Sequence, residues 1–440
     1  MRGLLSGLFL LSAALQAEHL NALLLDVLQT NPSVIERLKN FEATRADVTI
    51  ARAGYYPTVD LAAGVGKERT DRTPTGGVMA TTDFDVTQAS LTYNQNLFNG
   101  FATLHRVDEQ DARSVAAAYS YIESVNGTSL DLVTAYLEVM RSSALLETSR
   151  QSVKINQEIF NKVSKLYESG LTTLSEVNKI ESSLALAKSN AVVNENNLAS
   201  TRFALERLVG KAIDPAELEK PAFTASLPAN FESAIDNAFN NNPSLLVSDY
   251  NIKQAAAVRN GAKSVYYPKV DLELSRSYGK RLSAYDGEEE QFKAMATVSF
   301  NLFNGFADKA TLQKNAALLQ LEHASRDKLR RQVKEGLNLA WTGYKKLQEQ
   351  LKHLEAYKEF SLKTLTLYSK EYDLGRRSLL DLLAAQSDFI GSKSQIINTE
   401  YDILLAQYRI LDTMGTMTAS LLSQSGELYA NVGLSAPTAP

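Results

Sequence analysis

The feature that most constrains this chain is a long segment that the sequence repeats within itself. A short break in a helical pattern, Tyr167-Glu-Ser-Gly170-Leu-Thr-Thr-Leu-Ser-Glu176, has a twin 205 positions later, centred on Gly375. The same spacing of 205 relates the acidic residues Glu176 and Asp381, and also the ten-position apolar seams that follow them. Agreement over that many positions indicates duplication. We therefore expect two copies of one structural unit.

Long apolar patterns on both sides of each break predict helices. Apolar residues recur in steps of three and four, which is the 3.5-residue period of a coiled coil. No Pro occurs between residues 101 and 168 or between 306 and 373, and each run would make a helix of roughly 100 Å. Gly adopts the left-handed conformation that ends a helix. Gly170 and Gly375 therefore predict the tips of two antiparallel helical hairpins.

Each copy also contains a predicted β-hairpin. The period changes from 3.6 to 2 after two Tyr-Tyr-Pro sequences, which end at Pro57 and Pro268 and lie 211 positions apart. The alternation ends at two Asn-Leu-Phe-Asn-Gly sequences, so the hairpins span about 57–98 and 268–303. We predict polar turns at 67–83 and 279–290. Phe84 and Val86 break the alternation, which predicts a bulge or an extended loop there.

The domain organisation follows from these boundaries. Residues 1–17 resemble a secretory signal peptide, with a basic start, a short apolar run and Ala17 before the expected cleavage. The first repeat spans 18–210, a proline-containing linker spans 211–231, and the second repeat spans 232–415. A C-terminal tail occupies 416–440, and we expect it to be disordered after Leu422. No transmembrane helix is expected beyond the N-terminus.

Composition narrows the function classes. A formal net charge of −4 without a basic run argues against a nucleic-acid partner. The absence of Cys removes thiolate metal sites, Cys nucleophiles and a lipid-attachment Cys. The four histidines are scattered, and no nucleophile, base or metal cluster has a usable spacing. We expect neither an enzyme nor a cofactor or metal site.

Four amphipathic strands cannot close a membrane barrel alone, because the smallest bacterial barrels have eight strands. Open edges do not survive in lipid, since unpaired backbone groups cost several kcal/mol each. Two chains would give an eight-stranded barrel with a filled interior, whereas three would give twelve strands and a lumen. The expected fold is therefore mainly α with one β-hairpin per repeat, assembled as a trimeric barrel. An exported trimer of this kind would be a duct.

The chain resembles the TolC family of bacterial outer-membrane efflux and secretion channels. The resemblance rests on the order of elements, the two Tyr-Tyr-Pro helix ends, the two Asn-Leu-Phe-Asn-Gly strand exits and the two tips. The resemblance covers roughly residues 18–422. It implies a homotrimer with a barrel in outer-membrane lipid and a long α-helical barrel in the periplasm, closed at its tip. It also implies a periplasmic adaptor (membrane fusion) protein and an inner-membrane ABC transporter or proton-driven pump as partners. The run from Gly375 to Leu383 is most similar to the type I secretion branch; the alternative is multidrug efflux.

The resemblance also implies roles for residues at the tips. Tyr372 and Arg377 match residues that tether neighbouring helices and hold the pore shut, and Glu176 with Ser175 matches their acidic counterpart. Asp381 matches a ring of carboxylates that attracts cations, although Ala384 stands where many members have a second Asp. The adaptor would dock on Gly170, Leu171, Gly375 and Arg376.

Each of these residues also has a plainer interpretation. A solvated Arg–Glu pair contributes at most about 1 kcal/mol, and an Asp near a helix start is favoured by the helix dipole. Two rival classes also remain open for the whole chain. A passive porin would not need helices of this length, and a structural coiled-coil protein would not need the hairpins or the signal peptide.

Overall fold

A computed structural model describes residues 20–73, 76–282, 287–422 and 425–437. The predicted signal peptide at 1–17 lies outside these ranges. The described helices are α1 (residues 20–30), α2 (Pro32–Arg52), α3 (Ala102–Glu168), α4 (Leu174–Val209), α5 (Phe231–Asn241), α6 (Pro243–Gly261), α7 (Ala307–Asp373), α8 (Leu379–Met414), α9 (Met417–Leu421) and α10 (Ser425–Ala430). The strands are β1 (Thr58–Arg72), β2 (Ala80–Asn99), β3 (Lys269–Lys280) and β4 (Glu288–Ser299).

The helix lengths repeat as the duplication requires. Helices α3 and α7 have 67 residues each, and α4 and α8 have 36 each. Both pairs begin and end 205 positions apart. The prediction of long, uninterrupted helices is confirmed. Among the described residues, no helix combines the length and apolarity needed to cross a membrane.

The chain divides into two compact units, and the first, residues 39–117 and 247–328, carries the sheet. Four antiparallel strands pair in the order β1-β2-β3-β4, which leaves β1 and β4 as the edges. Along β1 the apolar side chains of Val59, Leu61 and Val65 alternate with polar or small ones, and they are 63%, 77% and 83% exposed. One face of the sheet is therefore apolar and uncovered in the single chain.

The strands are longer than the sequence predicted. Pairing between β1 and β2 continues without a register shift to Arg72↔Ala80, so most of the predicted turn at 67–83 is strand. The bulge or loop expected at Phe84 and Val86 is wrong, because backbone pairing continues through both residues. Polar residues continue the ladder here, and opposite charges such as Lys67 and Asp85 face each other across it.

A register shift occurs instead between β2 and β3, at Asn96 and Phe98. The second polar turn is also shorter than predicted, because β3 runs to Lys280 and β4 begins at Glu288. At its other end β4 stops at Ser299, although the alternation predicted a strand to about residue 303. Strand β2 is the equivalent strand of the first repeat, and it ends at Asn99, five residues beyond the position that corresponds to the end of β4. Strand β3 pairs with β2 as far as Asn99.

The second unit is mainly helical, and its described residues are 20–38, 118–246, 329–422 and 425–437. A buried polar network joins α3 to the C-terminal region. The Asn126 side chain donates to the Gly415 carbonyl (3.3 Å) and accepts from the Thr418 hydroxyl (2.6 Å). Tyr429 and Val432 are 3% and 4% exposed. The disorder expected after Leu422 is therefore wrong for this segment, because tertiary contacts that the local sequence does not reveal order it.

Two equivalent glycines give a matched test of this packing. Gly210 and Gly415 end α4 and α8 with φ of 77° and 74°. A Cβ on Gly415 would lie 2.4 Å from the Asn241 carbonyl oxygen, whereas one on Gly210 would meet nothing within 4 Å. We expect Gly210→Ala to cost about 1–2 kcal/mol from the left-handed backbone alone. We expect Gly415→Ala to cost about 2–5 kcal/mol, because steric overlap is added.

The measurement is the thermal unfolding midpoint of each purified variant at one scan rate. A larger loss for Gly415→Ala supports the packing described. Equal losses for the two variants would contradict it.

Candidate gate at the hairpin tips

The first tip joins α3 to α4 through a left-handed glycine. Gly170 has φ of 71°, and its N–H donates to the Tyr167 carbonyl (2.9 Å). The N–H of Leu171 donates to the Leu166 carbonyl (2.8 Å). This pair of bonds is a Schellman motif, which satisfies carbonyls at a helix end. The Leu171 side chain beyond it is 74% exposed.

The second tip, between α7 and α8, has the same geometry. Gly375 has φ of 68°, and its N–H donates to the Tyr372 carbonyl (2.9 Å). The N–H of Arg376 donates to the Glu371 carbonyl (2.9 Å), and the Arg376 side chain is exposed. The structure therefore has the two tips that the sequence predicted. That the adaptor docks on them stays a prediction.

An apolar cluster packs the two tips together within one chain. Its buried members come from all four helices: Val163 of α3, Ile180 of α4, Tyr372 of α7, and Leu379, Leu382 and Leu383 of α8. Lys162 of α3 and Asp373 of α7 form an ion pair beside this cluster. The tips are therefore held as one body by apolar packing.

Tyr372 is buried in this cluster, and its hydroxyl has no hydrogen-bond partner among the residues that the structure describes. Burial raises the pKa of Tyr372, and the nearby carboxylates of Glu176 and Asp373 raise it further. A buried hydroxyl without a partner costs free energy. Among the gate residues predicted from the sequence, Tyr372 thus has an unused hydrogen-bonding group close to Glu176.

Arg377 is bound within its own hairpin. Its guanidinium donates to Glu371 through Nε (2.9 Å), and a second nitrogen lies 2.8 Å from the same oxygen. The guanidinium also stacks 4.1 Å from the centre of the Tyr368 ring. The bond to Glu371 is the main reason that the pKa of Arg377 is raised. Asp381 is a more distant neighbour, at 3.9 Å.

The acidic side of the predicted gate also has local partners. Glu176 accepts from the Thr172 hydroxyl, and the Ser175 hydroxyl lies 2.8 Å from that of Thr173. Arg377 does not reach Glu176 within the chain, since its contacts are with Glu371, Tyr368 and Asp381. A bond between Arg377 of one chain and Glu176 of another stays a prediction.

Asp381 lies in the first turn of α8, where it caps the helix together with Ser378. The Ser378 hydroxyl donates to Asp381 Oδ2 (2.8 Å) and accepts from the Asp381 N–H (3.2 Å). This reciprocal pair satisfies an otherwise unpaired backbone donor. A capping role accounts for Asp381 in the single chain. Within the described residues no group of three or more His, Cys, Asp or Glu could hold a metal.

Sequence reasoning missed Glu371 and Tyr368, which bind Arg377. The duplication contains the signal that would have found them. Their equivalents 205 positions earlier are Leu166 and Val163. The second tip therefore has a carboxylate and an aromatic ring where the first has aliphatic residues, and it has both beside an arginine.

The comparisons with known proteins agree with this architecture. The family model described as "Outer membrane efflux protein" matches residues 23–211 and 234–416. The chain is 24% identical to outer membrane protein TolC of Vibrio cholerae, covering 96% of this chain and 95% of that protein. It is 21% identical to the outer membrane efflux protein BepC of Brucella suis, covering 95% and 90%. The crystal structure of VceC from Vibrio cholerae matches with a TM-score of 0.79 at 18% identity, covering 90% and 96%.

The cap at the start of α8 has a matched control in the other copy. Ser378 is the N-cap and uses its side chain, whereas the equivalent Thr173 caps α4 without a side-chain bond. We expect Ser378→Ala to cost about 1 kcal/mol locally, and Thr173→Ala to cost clearly less. Hydrogen–deuterium exchange of the first turns of α8 and α4 measures this. Unchanged exchange of the first turn of α8 in Ser378→Ala would show that the cap does not stabilise α8.

Proposed function

The chain belongs to the outer membrane efflux protein family, and from that premise we propose that three copies form an exit duct across the outer membrane and the periplasm. The duct would work with a periplasmic adaptor protein and an inner-membrane transporter. The observation that carries the proposal is the sheet, which has an uncovered apolar face and two edge strands that each have one unpaired side. Lipid can cover the apolar face, but only pairing with other copies can satisfy the edges.

Three copies fit the lumen that export requires. Twelve strands leave an open interior, whereas eight nearly fill theirs with side chains. The polar face of the sheet carries paired charges such as Lys293 with Glu273 (3.1 Å), as expected for a surface against water. Neither the porin nor the coiled-coil alternative accounts for both the sheet and the long helices.

We further propose that the exported substrate is a protein, with an ABC transporter as the inner-membrane partner, as in type I secretion. What supports this finer proposal is the second tip, Gly375-Arg-Arg-Ser-Leu-Leu-Asp-Leu-Leu383, whose pattern is most similar to that branch. The second candidate is efflux of small toxic molecules, which the names of relatives such as the solvent efflux protein SrpC of Pseudomonas putida support.

Deletion of the gene distinguishes the two substrates. We expect specific proteins to disappear from the culture medium, measured by mass spectrometry, and to return when the gene is restored on a plasmid. Sensitivity to organic solvents and dyes is measured on the same strains. A deletion that changes only this sensitivity, with the secreted proteins unaltered, would refute protein export and favour efflux.

We propose that the tips form the gate of this duct. Arg377 and the unpartnered Tyr372 hydroxyl belong to the second tip, and Glu176 belongs to the first. If tips of neighbouring copies meet around one axis, each Arg377 can reach a carboxylate of the next copy. Charge-assisted bonds of this type are directional and breakable, which suits a gate that an adaptor must open.

Replacing Arg377 by Ser and Tyr372 by Phe together should raise the single-channel conductance in planar lipid bilayers, because both ties would be lost. The Phe ring keeps the apolar packing of the cluster. Asp381→Asn is the control: it should leave the resting conductance nearly unchanged and weaken block by divalent cations, because the proposed ring of carboxylates loses its charge. If the double variant still forms an intact trimer and its conductance is unchanged, the gate does not depend on Arg377 and Tyr372.

A further inference from the structure

The end of α8 carries an acidic residue at a place where its surroundings disfavour a negative charge. Asp412 lies two residues before Met414, the last residue of α8, and it is partly buried. We propose that Asp412 takes up a proton at mildly acidic pH, and that the bound proton strengthens the junction between α8 and α3. The proton site does not depend on the proposed duct. Its use does, since an exported chain is exposed to the pH outside the cytoplasm.

The helix itself is the first part of these surroundings. The carbonyl groups at a helix C-terminus carry a partial negative charge, so an acid in the last turn is destabilised and a base is stabilised. The last turn of α8, which the structure describes in full, contains no basic residue. The equivalent of Asp412 in the first repeat is Arg207, in the last turn of α4. The repeated backbone therefore accepts the favoured charge at this position and does not require an acid.

Two acids of α3 are the second part. Asp131 and Glu123 both disfavour a negative charge on Asp412. They are eight residues apart and lie on the same side of their helix. Their equivalents in the second repeat are Gly336 and Lys328. Three acids therefore gather where α3 meets the end of α8, and the equivalent position of each one in the other repeat is not acidic.

In the described part of the chain, no base offsets this gathering of acids. Arg409, one turn earlier on α8, is exposed and is not among the groups that shift the pKa of Asp412. Helices α5 and α9 also contact α8, but the charged residues that shift this pKa both belong to α3. Burial has the largest effect, followed by Asp131 and then Glu123, and together they raise the pKa of Asp412 to about 6.

The acids lie at a junction between three helices. The Asn242 side chain, at the start of α6, donates to the Thr413 carbonyl of α8 (2.9 Å). The Ser244 hydroxyl of α6 donates to Glu123 of α3. Helix α6 is thus bonded both to α8 and to α3, beside Asp412. A proton on Asp412 removes the charge repulsion between α8 and α3 and leaves both of these bonds in place, so the junction becomes more stable.

The direction of the pH dependence follows from the folded and unfolded pKa values of Asp412. An ordinary Asp has a pKa of about 3.9, whereas that of Asp412 in the folded chain is about 6. The folded state therefore binds the proton more tightly, and acidification favours it. The penalty for an ionised Asp412 is absent below the unfolded pKa and reaches its full size as the pH rises through the folded pKa. An acid that is paired with a base behaves in the opposite way.

Hydrogen–deuterium exchange of residues 405–414 between pH 5 and pH 8 tests the proposal, with each rate divided by the intrinsic exchange rate at that pH. We expect the end of α8 to open about tenfold less often at pH 5 than at pH 8. In Asp412→Asn, whose amide resembles the neutral acid, we expect infrequent opening at both pH values. The end of α4, residues 201–209, is the internal control and should lack this pH dependence, because Arg207 occupies the equivalent position.

A tenfold rise that persists in Asp412→Asn would show that another group binds the proton, and the proposal would be wrong. Equal opening of the natural chain at pH 5 and pH 8 would also refute it. If Asp412→Asn does not fold, Asp131→Asn decides the question: removal of this acid should move the rise in opening to lower pH, and a rise at the original pH would contradict the proposal. The particle mass, measured on the same samples, shows separately whether three chains assemble.

Discussion

An unpaired backbone N–H or carbonyl costs several kcal/mol in hydrocarbon, and this cost determines how the chain must be assembled. Helices pair their backbone groups by hydrogen bonds inside the helix, so the long α3 and α7 need only caps at their ends. The sheet cannot, because β1 and β4 each leave one edge open. Exposed apolar side chains lie along both of these edge strands, as Val65 does on β1 and Val298 does on β4.

Duplication lets the chain place one sequence in two environments. Gly210 and Gly415 have the same backbone conformation, yet only Gly415 is tightly enclosed. Tyr167 and Tyr372 are equivalent, yet Tyr167 is 43% exposed and Tyr372 is buried. The two tips therefore share a backbone motif and differ in the charged and aromatic residues around it.

The elements that depend on local sequence could be predicted. Pro-free apolar repeats defined α3 and α7, and Gly170 and Gly375 defined the tips. What depends on a distant partner could not be predicted in the same way. The end of β2 at Asn99 depends on β3, and the C-terminal helices depend on Asn126.

The candidate site divides in the same manner. The resemblance, and not helix periodicity, pointed to Tyr372, Arg377, Glu176 and Asp381, and their part in a gate stays a prediction. The partner of Arg377 could not be predicted, because Glu371 is six residues away and the Schellman turn between them brings the two side chains together. Helical spacing rules consider residues three or four apart, so they overlook a pair that spans a helix end.

The bond between Arg377 and Glu371 has a consequence for the energetics of a gate. An arginine that lost its only carboxylate on opening would leave a charge without a partner, and the closed state would dominate. Arg377 has a carboxylate in its own hairpin, so leaving a neighbouring copy would be an exchange of one acceptor for another. Such an exchange would lower the free-energy cost of opening the proposed gate, so that a smaller difference in adaptor affinity between the two states would shift the population. The second tip would then act as a switch, with Glu371 as the alternative acceptor.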